Sequence, residues 1–323
     1  MKKAKIIFIF QILTSMFVSG QDAFFSQFYY NRLYMNPAYS GINEPASLFM
    51  NYRNQWPDMQ GNYVTYSASY KQPVEILGGG IGILLNNDVQ GKGTMNTLQA
   101  SMMYAYELKV NRNSYFYGSL QASYINQSLH AENLTFEDMF DPTNQHFSNP
   151  TSENISSRNE GTFDFAAGIL FKYWDPFNNL YIYSGISSHH LTEPAFKPSG
   201  SALPRSYTGH FQMDFPFAYN RLGFEEVRIQ PAISYTHQGN ANLLNYAAIF
   251  QGDTYLGGIG IRHNLNFYLT HIILSAGYSG PNYRIAYSYD ILPTHKDVLI
   301  SKWGSHEVTF LINIQYKGKR YKQ

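Results

Sequence analysis

The sequence contains one run of side chains that could act as a hydrolase site. Residues 187–190 read Ser-Ser-His-His, and a serine beside a histidine can carry out acyl transfer when an Asp or Asn orients the imidazole. Neighbouring residues of a strand point to opposite faces, so this run does not fix a nucleophile against its base. We therefore predict a protein that is not an enzyme and has no catalytic residue.

Two other groups of residues carry side chains that can bind metals, but neither has the spacing of a known metal site. His306 and Glu307 begin HEVTF, which lacks the second histidine of the zinc-binding helix motif and alternates as a strand. Glu137, Asp138 and Asp141 lie in a long polar stretch, where acidic residues are more often solvated than bound to calcium. The chain has no cysteine, which excludes thiolate metal sites and disulfides. We expect no metal and no cofactor.

Five charged residues in alternating segments are stronger candidates for a function. They are Asp164, Lys172, Arg284, Asp290 and Glu307. The alternation places them on the face opposite to the apolar one, and buried charges are tolerated only when they are paired or hydrated. They could hold a plug, bind a segment of a partner, or form a purely structural network of ion pairs, and the residues alone leave these alternatives open.

The elements that must position these residues are β-strands. In the last segment, the residues at 308, 310, 312, 314 and 316 are apolar or aromatic, whereas most of those between them are polar, which is the period of two of a half-buried strand. No segment after residue 22 contains eighteen consecutive apolar residues, so spanning helices are excluded. We predict fourteen strands, near residues 46–54, 62–73, 78–86, 98–109, 114–126, 162–174, 180–189, 205–217, 228–237, 243–251, 256–263, 269–279, 283–291 and 306–316.

The lengths of the strands and of their connections favour a membrane barrel over a soluble β-sandwich or propeller. Several strands have the nine or more residues that a tilted membrane strand needs, whereas ordinary strands have about five or six. The predicted connections at one end have roughly 7, 11, 35, 15, 5, 5 and 14 residues, and those at the other end roughly 4, 4, 6, 10, 4 and 3, as in outer-membrane barrels. We predict an all-β transmembrane barrel of about 14 antiparallel strands in the bacterial outer membrane, with both termini periplasmic.

Composition agrees with this class. Of 323 residues, 44% are hydrophobic, 17% aromatic and only 14% charged, and the net charge of +1 offers no electrostatic reason for a nucleic-acid partner. Lysines at 2, 3 and 5 precede an apolar stretch, which predicts a signal peptide at residues 1–20. We divide the remainder into an N-terminal plug or collar at 21–45, the barrel at 46–316 and a basic periplasmic tail at 317–323.

A barrel of fourteen strands raises the question of what occupies its interior. About eight strands are filled by their own side chains, whereas sixteen to eighteen leave an aqueous channel. Two segments could enter the interior: residues 21–45, and the long connection at 127–161.

Several stretches of the sequence resemble one known family along nearly the whole chain. SQFYYNRLYMNPAYSG and YRNQWPDMQGNYVTYSASY are similar to the N-terminal signature of the PorP/SprF family, and the likeness continues in GGGIGILLNNDVQGKGTMNT, SSHHLTEPAF, LPRSYTGHF, RIAYSYDI and GSHEVTFLI. Members are outer-membrane proteins associated with type IX secretion and gliding motility in the Bacteroidetes. The tail KGKRYKQ departs from the family pattern.

The resemblance implies a barrel that is not an enzyme and that helps to export or anchor a large cell-surface protein, such as an adhesin, through the C-terminal region of that protein. Its expected partners are the lipid bilayer, the surface protein and, beyond these, periplasmic and outer-membrane components of the secretion machinery. A diffusion or uptake channel for small solutes is the alternative, because a barrel alone allows either function.

The family motifs supply the remaining candidate site residues. They are Asn31, Asn36, Pro37, Ala38, Tyr39, Gly41, Arg53, Asn54, Gln55 and Trp56. Proline and glycine interrupt regular structure in the first motif, and its Tyr and Asn side chains can form hydrogen bonds in a crowded polar interior. The motifs either form a plug that contacts a partner, or only fix the first hairpin and its register.

Overall fold

A computed structural model describes residues 21–59, 61–141, 146–147, 151–153, 155–197, 201–218, 227–265, 269–292 and 304–314. In these residues the chain forms a closed barrel of fourteen antiparallel strands, each paired with its neighbour in sequence order. The barrel strands are β1 (Ala46–Gln55), β2 (Tyr63–Val74), β3 (Gly79–Gln90), β4 (Met95–Lys109), β5 (Ser114–Leu129), β6 (Arg158–Asp175), β7 (Leu180–His189), β8 (Ser206–Ala218), β9 (Val227–Gln238), β10 (Ala241–Gln251), β11 (Tyr255–His263), β12 (Leu269–Ser279), β13 (Tyr283–Ile291) and β14 (Ser305–Ile314).

The remaining elements are short. The helix α1 (Arg32–Met35) is the one α-helix of the described residues, and none of their helices is long and apolar enough to cross a membrane. The 3-10 turns are Pro37–Gly41, Glu75–Leu77, Ala131–Asn133 and Glu137–Met139, and two-residue strands pair Phe140–Asp141 with His146–Phe147 and Ala195–Phe196 with Ser201–Ala202.

The two ends of the barrel differ in their connections. Ala46 pairs with Ile314 where β1 meets β14, and we call this the terminal end and the opposite one the loop end. The three longest connections, residues 130–157, 190–205 and 292–304, all lie at the loop end. The asymmetry predicted from the sequence is therefore present.

All fourteen predicted strands are confirmed, and one predicted connection is wrong. The connection of roughly eleven residues predicted between the third and fourth strands is only residues 91–94, because β3 runs to Gln90 and β4 begins at Met95. Asp88 looks like a turn residue, but it points into the polar interior, where it accepts a hydrogen bond from Thr65 (2.7 Å). The predicted signal peptide at 1–20, the end of the last predicted strand at 315–316 and the tail at 317–323 lie outside the described residues.

The two faces of the wall have the reverse of the polarity of a soluble protein. Large apolar side chains point outward, and Met102, Leu120 and Phe163 are each about 70% exposed. Polar side chains point inward and are buried, as at Gln121 and Glu307. An exposed apolar band around a polar interior is the pattern of a barrel surrounded by lipid.

Residues 21–45 lie inside the barrel. Asp22 contacts Gln238 at the loop end of β9, and the chain then crosses the interior to enter β1 at the terminal end. Ala46 and Ile314 thus share one end, whereas Asp22 lies at the other. The described part of the long connection at 127–161 remains near the loop end, where His130 donates from its backbone to Thr94.

Candidate functional site

Residues 21–45 are called the inner segment below. Four charged side chains of the barrel wall contact the start of this segment, and we call them the charged anchor. Arg53 lies between two carboxylates, 2.8 Å from Asp290 and 3.1 Å from Glu307, and Arg262 lies 3.5 Å from Asp290. The Ser26 hydroxyl donates to Asp290 (2.7 Å) and accepts from both arginines. All four side chains are at most 6% exposed.

The charged anchor also holds the backbone of the segment. The two oxygens of Glu307 accept the backbone N–H groups of Ser26 (2.6 Å) and Gln27 (3.0 Å). Two positive and two negative charges balance in the cluster, and hydrogen bonds to ionised groups are stronger than neutral ones. Because buried charges are tolerated only with such partners, the segment is part of what makes the cluster stable.

The second half of the inner segment packs closely against glycines of the barrel wall. The Asn36 amide nitrogen donates to the carbonyls of Ile169 (3.1 Å) and Ile186 (3.2 Å) on the opposite wall. A Cβ atom added to Gly168 would lie 2.1 Å from the Asn36 side-chain oxygen, and one added to Gly185 would lie 2.8 Å from its nitrogen. Only glycine leaves room for Asn36 at these two positions.

The same fit continues one turn later. A Cβ atom added to Gly80 would lie 2.1 Å from the backbone carbonyl oxygen of Ser40, and one added to Gly82 would lie 3.1 Å from the Ser40 Cβ. We call Gly80, Gly82, Gly168 and Gly185 the glycine seat. The Asn36 side chain also caps the 3-10 turn Pro37–Gly41 by accepting from Ala38 (2.9 Å), so one asparagine fixes both the turn and its position on the wall.

A histidine holds the first described residues of the segment. His190 lies 2.8 Å from a carboxylate oxygen of Asp22 on one ring nitrogen and 2.8 Å from Asp164 on the other. Burial lowers the pKa of His190, but the two carboxylates outweigh burial and raise the pKa to about 10. The imidazolium form is therefore favoured between the two acids at neutral pH, and we call this group the histidine clamp.

Glu44 holds the other end of the segment. Its carboxylate lies 2.7 Å from Lys71 and 3.8 Å from Lys172, and it accepts from the Tyr183 hydroxyl (3.2 Å). Burial raises the pKa of Glu44, but Lys71 and then Lys172 outweigh burial and lower it well below its usual range. Glu44 is thus ionised where the chain turns into β1.

The five charges predicted for the interior do not form one network. Asp290 and Glu307 belong to the charged anchor, Asp164 to the histidine clamp, and Lys172 to the Glu44 contact. Arg284 makes no ion pair within the described chain and donates to Gln251 (2.8 Å).

The motif residues divide between the interior and the loop end. Asn36, Pro37, Ala38, Tyr39 and Gly41 are buried in the inner segment with Asn31, and Arg53 belongs to the charged anchor. Asn54 and Gln55 end β1, where Asn54 accepts from Asn62 (3.1 Å). Trp56 has a left-handed backbone (φ 56°), donates from its backbone to Gly304 (3.0 Å) and packs edge-on against Tyr63. Both motifs therefore reach well beyond the first hairpin.

The serine and histidine run holds the segment and does not pair as a nucleophile with a base. The Ser187 hydroxyl donates to the Met35 carbonyl (2.7 Å), and a ring nitrogen of His189 lies 3.3 Å from the same oxygen. In the acidic loop, Asp138 accepts from Thr151 and Ser152.

Several residues of the site were missed by sequence reasoning. Arg262 and Lys71 lie on inward faces, and the same alternation that selected Asp290 would have found them. Asp22, Ser26 and Glu44 lie in a segment without periodicity, and no signal in the sequence pairs them with residues up to 281 positions away.

The apolar exterior and polar interior of the closed wall define a membrane β-barrel of the outer-membrane type. Its interior holds residues 21–45 of the same chain. The family model for the type IX secretion system membrane protein PorP/SprF matches residues 17–312, and the chain belongs to this family.

Other comparisons add little. No curated protein matches the chain in sequence. Solved structures with a similar chain trace include the toluene transporter TodX of Pseudomonas putida, with 9% identity and a TM-score of 0.46, covering 92% of this chain and 96% of that one. The KdgM porin is another, with 9% identity and a TM-score of 0.39, covering 83% of this chain and 99% of that one. The β domain of the Bordetella autotransporter BrkA is a third (9%, 0.41, 84% and 99%). With TM-scores under 0.5 these likenesses carry no functional argument.

Proposed function

We propose that this protein is a non-enzymatic outer-membrane barrel of the type IX secretion and gliding machinery that helps to export or anchor a large, adhesin-like cell-surface protein. In this arrangement the loop end faces the outside and the terminal end the periplasm. The observation that carries the proposal is that residues 21–45 lie inside the barrel and contact its wall on opposite sides. We infer that they act as a plug, so that the barrel serves as a holder and not as an open passage.

The plug touches opposite parts of the wall. Ser26 contacts β13 and β14 through Asp290 and Glu307, and Asn36 contacts β6 and β7 through their backbone carbonyls. A segment held on both sides obstructs the interior between them. A diffusion channel needs a continuous aqueous passage, and we infer that a segment in this position interrupts it.

Part of the connection at 190–205 covers the loop end beside β5. Phe196 and Leu203, from the connection at 190–205, pack on the inward-facing Ile125, and all three side chains are buried. A closed interior leaves the outer surface and the two ends as the places where a cargo or machinery component would bind. In this proposal the cargo is engaged through its C-terminal region.

Conductance in a planar bilayer tests the proposal against the channel alternative. We expect the purified wild-type protein to form no steady open pores, and a variant lacking residues 21–40 to form them, because the plug is removed while the wall remains. A shift in gel mobility on boiling checks that the shortened barrel is folded. Steady wild-type pores, together with normal surface display of adhesin-like proteins in a strain lacking this protein, would favour the channel.

Surface display supplies the second readout. We expect a strain lacking this protein to lose display of one large surface protein, and that protein to copurify with the wild-type barrel. Trp56→Ala separates the roles of the second motif: reduced export with a folded barrel supports a partner contact at the loop end, and normal export leaves Trp56 with a role in the hairpin alone.

A further inference from the structure

The short turns at the terminal end differ between the two halves of the barrel. Three consecutive turns, at residues 75–78, 110–113 and 176–179, join β2 to β3, β4 to β5 and β6 to β7. Each carries a large apolar side chain that the chain leaves uncovered, since Ile76 is 92% exposed, Val110 56% and Phe177 95%. We call these three residues the apolar arc.

The other half of the terminal end has polar turns. The described turns there are residues 252–254, between β10 and β11, and residues 280–282, between β12 and β13. They read Gly-Asp-Thr and Gly-Pro-Asn and present Asp253 and Asn282. The connection at 219–226 lies outside the described residues. Within the described chain, the apolar turns therefore occupy one side of the barrel, from β2 to β7.

The turn that carries Ile76 is tied to the lipid-facing side of the wall. Tyr104 points outward from β4, and its hydroxyl donates to the backbone carbonyl of Leu77 (2.6 Å). A Cβ atom added to Gly78 would lie 3.0 Å from the ring of Tyr106, which also points outward. This turn is thus continuous with the apolar outer surface of the barrel.

Val110 and Phe177 join the same surface. Val110 continues the outward alternation of β4 beyond Leu108, and both side chains are largely exposed. Phe177 shares a groove with Met213 and Phe215 on the outer face of β8. All three residues of the apolar arc therefore extend the apolar band that surrounds the barrel.

Lipid is the partner that this continuity indicates. Apolar side chains are unfavourable in water, and those that adjoin a membrane-facing band are removed from water by the same leaflet. The charge in the turn of Val110 agrees with this position. Arg112 is exposed, and a long basic side chain beside an apolar anchor can reach anionic head groups.

We propose that the apolar arc inserts into the phospholipid leaflet beside the terminal end, so that the barrel enters the membrane more deeply along β2–β7 than along β10–β13. Residues that anchor a membrane protein at the interface set its tilt, and here the anchors lie on one side only of the described wall. The inference holds for either orientation of the barrel in the membrane and does not rest on the proposed function.

Single cysteines measure the depth of each turn, because the chain has no cysteine of its own. Ile76→Cys, Val110→Cys and Phe177→Cys are labelled with bimane in the full-length barrel, which is reconstituted into vesicles of phosphatidylethanolamine and phosphatidylglycerol. Lipids with a nitroxide on the acyl chain should quench these labels, and iodide on both sides of the membrane should not. Asp253→Cys and Asn282→Cys are the matched controls and should show the reverse.

A charged variant tests whether the three turns enter the leaflet together. Ile76→Asp combined with Phe177→Asp should increase iodide quenching of the label at Val110, because two carboxylates oppose insertion into lipid. Thr254→Asp combined with Asn282→Asp adds the same charge to the polar half and should leave that label unchanged. Boiling-dependent gel mobility checks that each variant is folded.

Equal iodide quenching at all the labelled turns would overturn the proposal, whether all of them lie in water or all in lipid. Iodide quenching of the apolar arc in lipid vesicles, with protection only in native outer membranes, would overturn lipid as the partner and indicate a protein. The conductance and display experiments do not depend on these labels, so failure of the apolar arc and failure of the proposed function can be told apart.

Discussion

Residues 21–45, the proposed plug, are held by two regions of opposite chemistry. The charged anchor binds Ser26 and Gln27 through four buried ionised groups, whereas the glycine seat binds Asn36 and Ser40 through shape and neutral hydrogen bonds. The charged anchor lies in the half of the barrel near the loop end, and the glycine seat supports the second half of the plug. One region depends on charge balance and the other on the absence of side chains.

The two regions should therefore fail in different ways. Removing one charge from a buried cluster leaves its partner uncompensated, which costs more than the pair contributed. Adding one methyl group to a tight seat forces a local shift, which costs less because neighbouring atoms can move. Substitutions in the charged anchor should therefore lower the stability more. Substitutions in the glycine seat should mainly change the position of the plug.

The largest expected effect comes from removing a charge of the anchor. Glu307→Gln should lower the free energy of unfolding by about 3–5 kcal/mol, because Arg53 loses one of its two carboxylates and the cluster gains net charge. The midpoint of denaturant unfolding in detergent, followed by tryptophan fluorescence, measures it. Glu153→Gln in the exposed loop is the control. Equal midpoints for the two variants would contradict the role of charge balance.

A smaller effect is expected at the glycine seat. Gly168→Ala should cost about 1–3 kcal/mol and displace Asn36, since the new Cβ would lie 2.1 Å from its side-chain oxygen. Labelling of a single cysteine introduced as Ser40→Cys, at fixed pH, reports whether the plug has moved. Gly118→Ala is a matched control, because a Cβ there meets nothing within 4 Å. Unchanged labelling in the Gly168 variant would show that the seat does not position the plug.

The third prediction concerns the histidine clamp, which adds a pH dependence to the charged half of the plug. With a folded pKa of about 10 against about 6.5 when unfolded, the stabilisation by His190 is complete below pH 6.5 and is lost as pH rises through 10. Asp22, Asp164 and the neighbouring His189 are the ionisable groups that face it.

Nitrogen NMR of histidine-labelled protein measures this titration. The signal assigned with a His190→Gln variant should titrate near pH 10, and Asp22→Asn should lower that midpoint because one favourable charge is removed. A midpoint near 6.5 in the wild type would mean that the carboxylates do not hold the imidazolium, and that the first residues of the plug are not fixed by charge.

The strands were predictable because lipid and interior impose opposite polarities on alternate residues. Along β13, the outward tyrosines and isoleucines alternate with Arg284, Ala286, Ser288 and Asp290, and the structure keeps that alternation. The connection between β3 and β4 was mispredicted because Asp88 suits both a turn and a polar interior. Composition does not separate these two environments.

The contacts of the plug were not predictable from the sequence. A charge on an inward face identifies a candidate, as it did for Glu307, but it does not identify the partner. Ser26 and Asn36 carry no periodic signal, and their partners lie in strands distant in sequence. The glycines at 168 and 185 read as ordinary strand glycines until Asn36 is placed against them.

One feature of the charged anchor links the plug to the formation of the cylinder itself. Arg53 and Glu307 are direct partners in the register of β1 and β14, the pair that joins the two ends of the wall. Ser26 bonds to both of them. The same side chains join the two edges of the wall and bind the inner segment. Closure of the wall and binding of the segment therefore favour each other by an equal free energy. We therefore expect closure of the wall and binding of the inner segment to be coupled steps of folding.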